Sequence, residues 1–581
     1  MFSSRLNKAL IILTACSLSI AACDKSERDD AAALTSEDSI LRYVPADTPY
    51  VIAKMSPLPE PLMDKLEPKI DALLRSYQTV IREVVKARQA EHSAAEQQSA
   101  DMARVSAVVD EVTSLMSIAG LEGAGISDES PIAFYGNGLL PVLRIGLSDG
   151  ALFDATLSRI EDKAEYKLPI GKLGDQQYRY FVADQAKFII AVIGDLAVVT
   201  AVPASFDDAL LGQVLGFDLP EKSIAETGAL DDLAREFELT PHQIGLVDVQ
   251  RLAARFVDAP SGLDAAVLAL AGYDASELSD VCRAEIRSTA AIMPRIAFGY
   301  TELSAANMGT RLVADLRDDI AAGLAALPAA VPGLGIDQGG LMSFGVSMDF
   351  KAARNFYEAR LDALEAAPYE CELFDDLQNG VADGRRALKQ PLPPIVYDFK
   401  GFLAVVDNID GIDFASKSPP KSVDARILLA MDNAEALIAL AGMFSPEVAA
   451  MDLQPDGRPV RLESPQLQGV VQNAFVAMTE TAIALSVGAG SEARLGDMLE
   501  AEVSSPSPIF SLSMDAARYY SLIGDAMSAA EQDSGDEASP EMQAALSDIM
   551  RSLSDLYDRI TVDMMFTARG AEVDSNLALG D

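Results

Sequence analysis

Residues 295–316, RIAFGYTELSAANMGTRLVADL, and residues 559–579, RITVDMMFTARGAEVDSNLAL, are the two stretches that decide the fold. Each predicts β-strand structure, and each follows a predicted helix. Arg287 and Ser288 lie in the first of these helices, and Arg551 and Ser552 lie at the same spacing in the second. The shared order of elements predicts an internal duplication. A chance repeat of common α+β pieces is the alternative.

Further elements repeat in the same order. Residues 188–200 predict a hairpin that turns at Gly194 and Asp195, followed by a helix, and residues 475–487 predict a similar hairpin and helix. Strand–helix units interleaved with hairpins are typical of antiparallel sheets. We therefore predict an α+β fold with two related halves, 40–330 and 335–581. Each half is expected to be a mainly antiparallel sheet with helices packed on one face.

The two halves differ most near their starts. Residues 60–119 carry apolar residues at helical spacing, such as Leu66, Ile70 and Leu74, and a polar interruption divides the segment. This pattern predicts an N-terminal helical hairpin within the first half.

Several predicted helices begin directly after a strand that ends in Asp. A carboxylate at that point accepts hydrogen bonds from the free N–H groups of the first turn, and it suits the positive end of the helix dipole. The alternative is metal binding or proton transfer, and helix capping is the better explanation. The predicted capping residues are Asp149, Asp248, Asp349, Asp432 and Asp515.

Length and charge limit the class of protein. The chain has 581 residues, with 88 Asp and Glu against 46 Lys and Arg, and a formal charge of −42. Such a length exceeds one hydrophobic core, so at least two domains or a duplicated unit are expected. Nucleic acid is excluded as a partner, because phosphate binding needs clustered basic residues.

The first residues have the pattern of an exported protein. Arg5 and Lys8 precede a short apolar run that ends in Ile20-Ala21-Ala22-Cys23. This ending resembles the bacterial lipobox, which implies a signal peptide at 1–22 and lipid attachment to the sulfur of Cys23. A plain signal peptide or an uncleaved anchor is the alternative. Residues 23–39 are expected to form a polar tether.

The lipobox implies a location. We expect a lipid-anchored protein of the bacterial cell envelope on the periplasmic side, with the membrane as a partner through the N-terminal lipid. Asp24 weakly favours the inner membrane.

Two cysteines remain in the mature protein, Cys282 and Cys371. In an oxidising compartment they are expected to form a disulfide, with two separately buried thiols as the alternative.

Motifs for catalysis are weak. The chain has two histidines, His92 and His242, and their surroundings do not indicate a zinc site or a catalytic triad. The stretch from Asp407 to Asp413 resembles a calcium loop, but it has Ile at position three and better fits a hairpin turn. We therefore predict no catalytic residues, no metal site and no cofactor.

The segment Tyr43-Val44-Pro45-Ala46-Asp47-Thr48-Pro49-Tyr50-Val51 opens the mature domain. It resembles the start of uncharacterised bacterial envelope proteins with a duplicated domain of the DUF3352 type. The resemblance implies an exported location and no particular activity, substrate or site residues.

The function expected from these features is that of a membrane-tethered, non-catalytic binding or scaffolding module with an envelope protein as partner. A periplasmic hydrolase that uses carboxylates is one alternative. A carrier of small molecules or lipids, with a cleft between the two halves, is the other.

Overall fold

The structure is a computed structural model that describes residues 39–92, 106–204, 206–258, 260–411, 420–462, 473–488, 490–533 and 539–580. The predicted signal peptide, Cys23 and the tether up to residue 38 lie outside the described residues. The fold is α+β, as predicted, and is built on one large, open antiparallel sheet.

The strands of this sheet run from Tyr50 to Leu579, and neighbouring strands in the described residues pair antiparallel. They are β1 Tyr50–Lys54, β2 Ile132–Asn137, β3 Leu140–Gly146, β4 Ile170–Leu173, β5 Gln176–Ala183, β6 Ala186–Ile193, β7 Leu196–Pro203, β8 Gln243–Asp248, β9 Arg295–Leu303, β10 Asn307–Asp315, β11 Met342–Ser347, β12 Phe399–Asp410, β13 Ser422–Met431, β14 Val460–Arg461, β15 Ala474–Met478, β16 Ala482–Val487, β17 Phe510–Asp515, β18 Tyr557–Phe566 and β19 Gly570–Leu579.

The pairings place the strands in the order β4-β5-β6-β7-β3-β2-β1-β8-β9-β10-β19-β18-β17-β11-β12-β13-β16-β15-β14. β10 pairs with β19 near the middle, so the sheet is continuous across the whole described chain.

Helices fill the connections between strands. They are α1 Glu60–His92, α2 106–114, α3 Ile118–Gly123, α4 Gly150–Ala164, α5 Asp208–Leu215, α6 Ile224–Thr227, α7 Ala229–Phe237, α8 Val249–Val257, α9 Gly262–Leu270, α10 Asp280–Ala290, α11 Asp318–Ala325, α12 Phe350–Ala366, α13 Asp375–Leu388, α14 Pro394–Asp398, α15 Ala434–Phe444, α16 Pro446–Ala449, α17 Leu495–Leu499, α18 Ala516–Asp533 and α19 Pro540–Leu556. Short 3-10 helices cover Ile40–Tyr43, Ala275–Glu277, Glu372–Phe374 and Ser491–Arg494.

Two hydrophobic cores lie on one face of the sheet. In the first, α5, α6 and α7 pack against strand residues such as Val51, Ala297 and Val313. In the second, α17 and the segment around Val331 pack against residues such as Leu428. The register places Val313 and Leu428 on the same side of the sheet. We call this side the core face.

Four of the five predicted capping carboxylates accept a hydrogen bond from the first turn of the following helix, at 2.8 or 2.9 Å. The donors are the backbone N–H groups of Ala151, Arg251, Ala352 and Arg518, and the acceptors are Asp149, Asp248, Asp349 and Asp515. At these four positions the carboxylate therefore caps the following helix.

The prediction was wrong at Asp432. α15 begins one residue later than expected, and the side chain of Asn433 accepts from the backbone N–H of Ala436 at 3.0 Å. Asn is as good a capping residue as Asp, so the chain uses the neighbour. The Asp432 carboxylate instead lies 3.0 Å from the Lys400 ammonium group, which is also 2.9 Å from Asp349.

Cys282 of α10 and Cys371 form a disulfide with an S–S distance of 2.01 Å, and both residues are buried. The Glu285 carboxylate accepts hydrogen bonds from the backbone N–H groups of Glu370 and Cys371, at 2.8 and 3.0 Å. The bridge and these bonds fasten α10 to the segment that leads into α13.

No helix in the described part of the chain combines the length and the hydropathy that a membrane span requires.

Candidate binding surface

A buried ion-pair network crosses β12 and β13 on the core face. Asp407 accepts hydrogen bonds from Arg426 at 3.0 and 3.1 Å, and the Arg494 guanidinium lies 2.6 Å from the same carboxylate. Asp407 and Arg426 are 7% and 5% exposed. Guanidinium groups therefore occupy both carboxylate oxygens, and Asp407 holds strands together. Residues 412 and 413, the end of the calcium-like stretch, lie outside the described residues.

Two carboxylates meet on β18 and β19, where Asp563 lies directly opposite Asp574. Arg311 binds Asp574 through two hydrogen bonds of 2.8 and 3.0 Å. Burial raises the pKa of the Asp563 carboxyl above its usual range, a hydrogen bond from Ser511 lowers it, and the Asp574 carboxylate raises it again. One Asp563 oxygen is buried without a hydrogen-bond partner.

Replacing Asp563 by Asn should raise the melting temperature near neutral pH. A carboxyl group whose pKa is raised in the folded state stays protonated to a higher pH there than in the unfolded state. Its contribution to stability is therefore present at low pH and is lost as the pH rises through the folded-state pKa. The gain from Asp563→Asn should therefore shrink as the pH falls from about 7 to about 4. Thermal unfolding across this range measures the effect.

Asp574→Asn is the matched control, because it removes the partner of Arg311 and should lower the melting temperature near neutral pH. If Asp563→Asn is also destabilising near neutral pH, the assigned direction of the Asp563 shift is wrong.

The opposite face of the sheet carries an uninterrupted set of uncharged residues. Directly paired residues of antiparallel strands point to the same face. The register runs from Phe298 through Leu312, Val573, Met564, Phe510, Val346 and Phe402 to Leu429. A second row beside it consists of Thr310, Ser575, Val562, Leu512, Phe344, Ala404 and Ile427. We call these fifteen positions the apolar face.

Solvent reaches the apolar face. None of its positions is buried, and Leu312, Phe344 and Ile427 are 41%, 36% and 40% exposed. Their sequence neighbours on the core face are buried, for example Val313 at 2% and Leu428 at 0%. The helices of the two cores therefore cover one side of the sheet and leave most of this part of the other side open. Leu429, at the β13 end, packs in a cluster with Leu437 and Ile438 of α15.

The usual distribution of side chains is inverted in β11 and β17. The core face of these strands carries Ser343, Ser347 and Ser513, which are 4%, 0% and 5% exposed. The larger Phe344 and Leu512 point to the open side. Large apolar side chains outside and small polar ones inside are unusual in a soluble domain, and an exposed apolar patch of this kind marks an interaction site.

The small inward residues allow a close approach of the chain that covers them. A Cβ added at Gly345 would lie 2.8 Å from Leu334 and 2.4 Å from the Phe402 carbonyl oxygen. The Ser347 hydroxyl donates to the Pro508 carbonyl at 2.7 Å and accepts from the Ala329 N–H at 3.2 Å. Close backbone packing therefore explains the small residues inside, but it does not explain the large ones outside.

The apolar face offers hydrocarbon contact and few polar groups. None of its fifteen positions is charged, although 23% of the chain is. Its two hydroxyl groups, on Thr310 and Ser575, lie 2.6 Å apart and bond to each other. Phe344 and Phe402 pack edge to face with ring centres 5.8 Å apart.

One end of the same side is covered by helices. Met308 and Leu577 are paired two positions beyond Thr310 and Ser575. They pack in a cluster with Leu62 and Leu66 of α1, and Met308 is 7% exposed. The apolar face thus begins where α1 and α19 stop covering the sheet.

Comparisons with known proteins found no match: no family model, curated protein or solved structure is similar to this chain. In the described residues, no group of three or more His, Cys, Asp or Glu side chains is arranged to hold a metal ion.

The predicted capping carboxylates do not form a common site. Asp248 lies opposite Arg295 on the neighbouring strand and Asp515 lies opposite Arg559, whereas Asp349 and Asp432 share Lys400. The apolar face was not predicted from the sequence. The available signal was the alternation of small residues, Ser or Gly, with larger apolar residues in residues 343–347 and 510–514.

Proposed function

We propose that the protein is a non-catalytic binding module that an N-terminal lipid tethers to the periplasmic side of the cell envelope. The apolar face is its binding surface. The observation that carries this proposal is the inverted arrangement in β11 and β17, where Phe344 and Leu512 point outward while Ser343 and Ser513 are buried. Folding alone favours the opposite arrangement, so a bound partner is the reason to keep these side chains outside.

Three features support the location. The lipobox-like ending at Cys23 implies lipid attachment, and the segment from Tyr43 to Val51 resembles the start of DUF3352-type envelope proteins. The Cys282–Cys371 disulfide suits an oxidising compartment.

We further propose that the chain is a duplicated unit, with halves at 40–330 and 335–581. The strand order supports this division. From the central β10–β19 pair outward, one side reads β10-β9-β8-β1-β2-β3-β7-β6-β5 and the other reads β19-β18-β17-β11-β12-β13-β16-β15-β14. Strands at corresponding positions in the two orders also follow one another in the same succession along the chain.

The register supports the duplication as well. Asp248 caps α8 and lies opposite Arg295, while Asp515 caps the start of α18 and lies opposite Arg559. The apolar face crosses the boundary between the two halves through the β10–β19 pair. A binding surface that spans both halves gives the duplication a physical purpose.

We also propose that residues 60–119 form the N-terminal helical hairpin expected from the sequence. α1 and α2 contact each other through Arg82 and Asp110, whose side chains lie 2.8 Å apart, and Gln78 donates to the Met116 carbonyl at 2.7 Å. Residues 93–105 between them lie outside the described residues.

A photo-crosslinking amino acid at Leu312 tests the binding surface in living cells. We expect an adduct after irradiation, because the side chain is in contact with its partner when the face is occupied. The same amino acid at Leu152 of α4 is the control, since the exposed fractions are 41% and 42%. Adducts are measured by gel shift and mass spectrometry. Equal yields of adduct at the two positions would contradict a binding role for the apolar face.

A further inference from the structure

We propose that the apolar face binds the acyl chain of a membrane phospholipid. This inference rests on the proposed function and names the ligand class of the same surface. The juxtaposition that carries it is a charge-free floor of Phe298, Leu312, Phe344, Phe402 and Ile427, with their paired neighbours, in a protein whose net charge is −42.

The polar groups of the floor are already satisfied. Protein interfaces carry about one hydrogen bond per 100–200 Å² and a polar rim. The two floor hydroxyls, on Thr310 and Ser575, bond to each other. The strands that lie from β10 across the sheet to β12 each pair with a strand on both sides. Their backbone groups therefore cannot accept an added strand from a partner. Such a floor suits a ligand that makes no hydrogen bonds.

The charge of the chain disfavours a second copy as the occupant. Two bodies with a formal charge of −42 each would repel one another across a shared face. A hydrocarbon chain carries no charge and meets no repulsion from the acidic surface around the face.

The floor is longer than an acyl chain. The longer row crosses eight adjacent strands, from β9 to β13, and strands lie about 4.8 Å apart, so the floor is about 34 Å long. The hydrocarbon core of a bilayer is about 30 Å thick and holds two acyl chains end to end, so one chain spans about 15 Å. The floor therefore accommodates an extended chain along its length.

The proposed tether keeps the protein close to a bilayer, which is the source of the phospholipid. Residues 24–38 separate Cys23 from Ser39, the first described residue, and a segment of this length reaches at most about 55 Å. Ser39 is thus held within this distance of the bilayer, and the Ile40 and Leu41 side chains that follow it pack in the first core. Since α1 and α19 cover the sheet beside the floor, a single chain fits there more readily than a flat bilayer surface.

The absence of Trp from the sequence makes a direct test possible. The full lipidated chain with Leu312→Trp, and separately with Ile427→Trp, is reconstituted in vesicles of dioleoyl-phosphatidylcholine. In a parallel sample, part of the lipid is the dibromostearoyl analogue, whose bromine atoms quench Trp on contact. We expect the loss of most of the Trp emission in the brominated vesicles. Leu152→Trp, with matched exposure, should keep its emission.

A charge in the floor should abolish the effect. In the Ile427→Trp chain, Phe344→Glu places a carboxylate two strands away and should restore the emission, because burying a carboxylate beside hydrocarbon is unfavourable. Leu152→Glu in the same background is the control and should leave the quenching unchanged. Circular dichroism establishes that each variant is folded, and Phe402→Glu, one strand from position 427, replaces Phe344→Glu with the same readout if that chain does not fold.

The outcomes separate this inference from the proposed function. Unquenched Trp at both positions overturns the acyl-chain inference. If the photo-adduct at Leu312 is then a protein, the binding role of the face still stands. If Leu312 gives no adduct of any kind, both proposals fail together. Equal quenching at Leu152 would mean that contact with lipid is not specific to the apolar face, and it also overturns the inference.

Discussion

Replacing Cys23 by Ser should move the protein from the membrane fraction to the soluble fraction of the envelope. Acyl chains on one sulfur contribute about 0.8 kcal/mol for each buried CH₂ group, and serine cannot accept them through a thioether. No helix among the described residues is long and apolar enough to span a bilayer. Fractionation with and without detergent, followed by immunoblotting, measures the change.

Cys16→Ser is the matched control for this experiment. Cys16 lies within the apolar run of the predicted signal peptide, and its replacement should leave the protein in the membrane fraction. Retention of Cys23→Ser in the membrane would contradict the lipid tether. Recovery of the native protein from the cytosol would contradict the envelope location as well.

The parts of the fold that the sequence predicted depend on local chemistry. An Asp placed between a strand and a helix can cap that helix whatever the rest of the chain does, and Asp149, Asp248 and Asp349 do so. Asp432 was misassigned because Asn433 is an equally suitable capping residue one position later.

The apolar face could not be predicted in the same way. Alternation of large and small residues in 510–514 indicates a strand with two unlike faces, but it does not say which face is covered. The general expectation places Phe344 and Leu512 inside, and the structure buries Ser343 and Ser513 instead. That choice depends on which segments pack on the sheet, and so on contacts between residues far apart in the chain.

The pairing of Asp407 with Arg426 was beyond sequence analysis for a related reason. The two residues belong to neighbouring strands with an irregular register, and residue spacing alone does not show that they meet. In the sequence, Asp407 stands in a stretch that resembles a calcium loop. In the structure it is the centre of a network of arginines.

Replacing Asp407 by Ala should lower the free energy of unfolding by about 3–5 kcal/mol, because removal of one partner leaves a buried charge uncompensated. Arg426 is 5% exposed and would lose both of its hydrogen bonds to the carboxylate, and Arg494 would lose its contact of 2.6 Å. The double variant Asp407→Leu with Arg426→Met should recover most of the loss, since apolar residues of similar volume carry no buried charge.

Asp548→Ala provides the matched control in the same denaturant titrations. Its partner Arg551 lies 2.6 Å away, but the two side chains are 51% and 69% exposed, and an exposed pair of this kind is worth about 0–1 kcal/mol. Both variants remove a carboxylate that contacts Arg, so the difference between them compares the buried network of Asp407 with a single exposed pair. If Asp407→Ala costs no more than Asp548→Ala, the network is not what holds β12 and β13 together, and the apolar face above these strands needs another support.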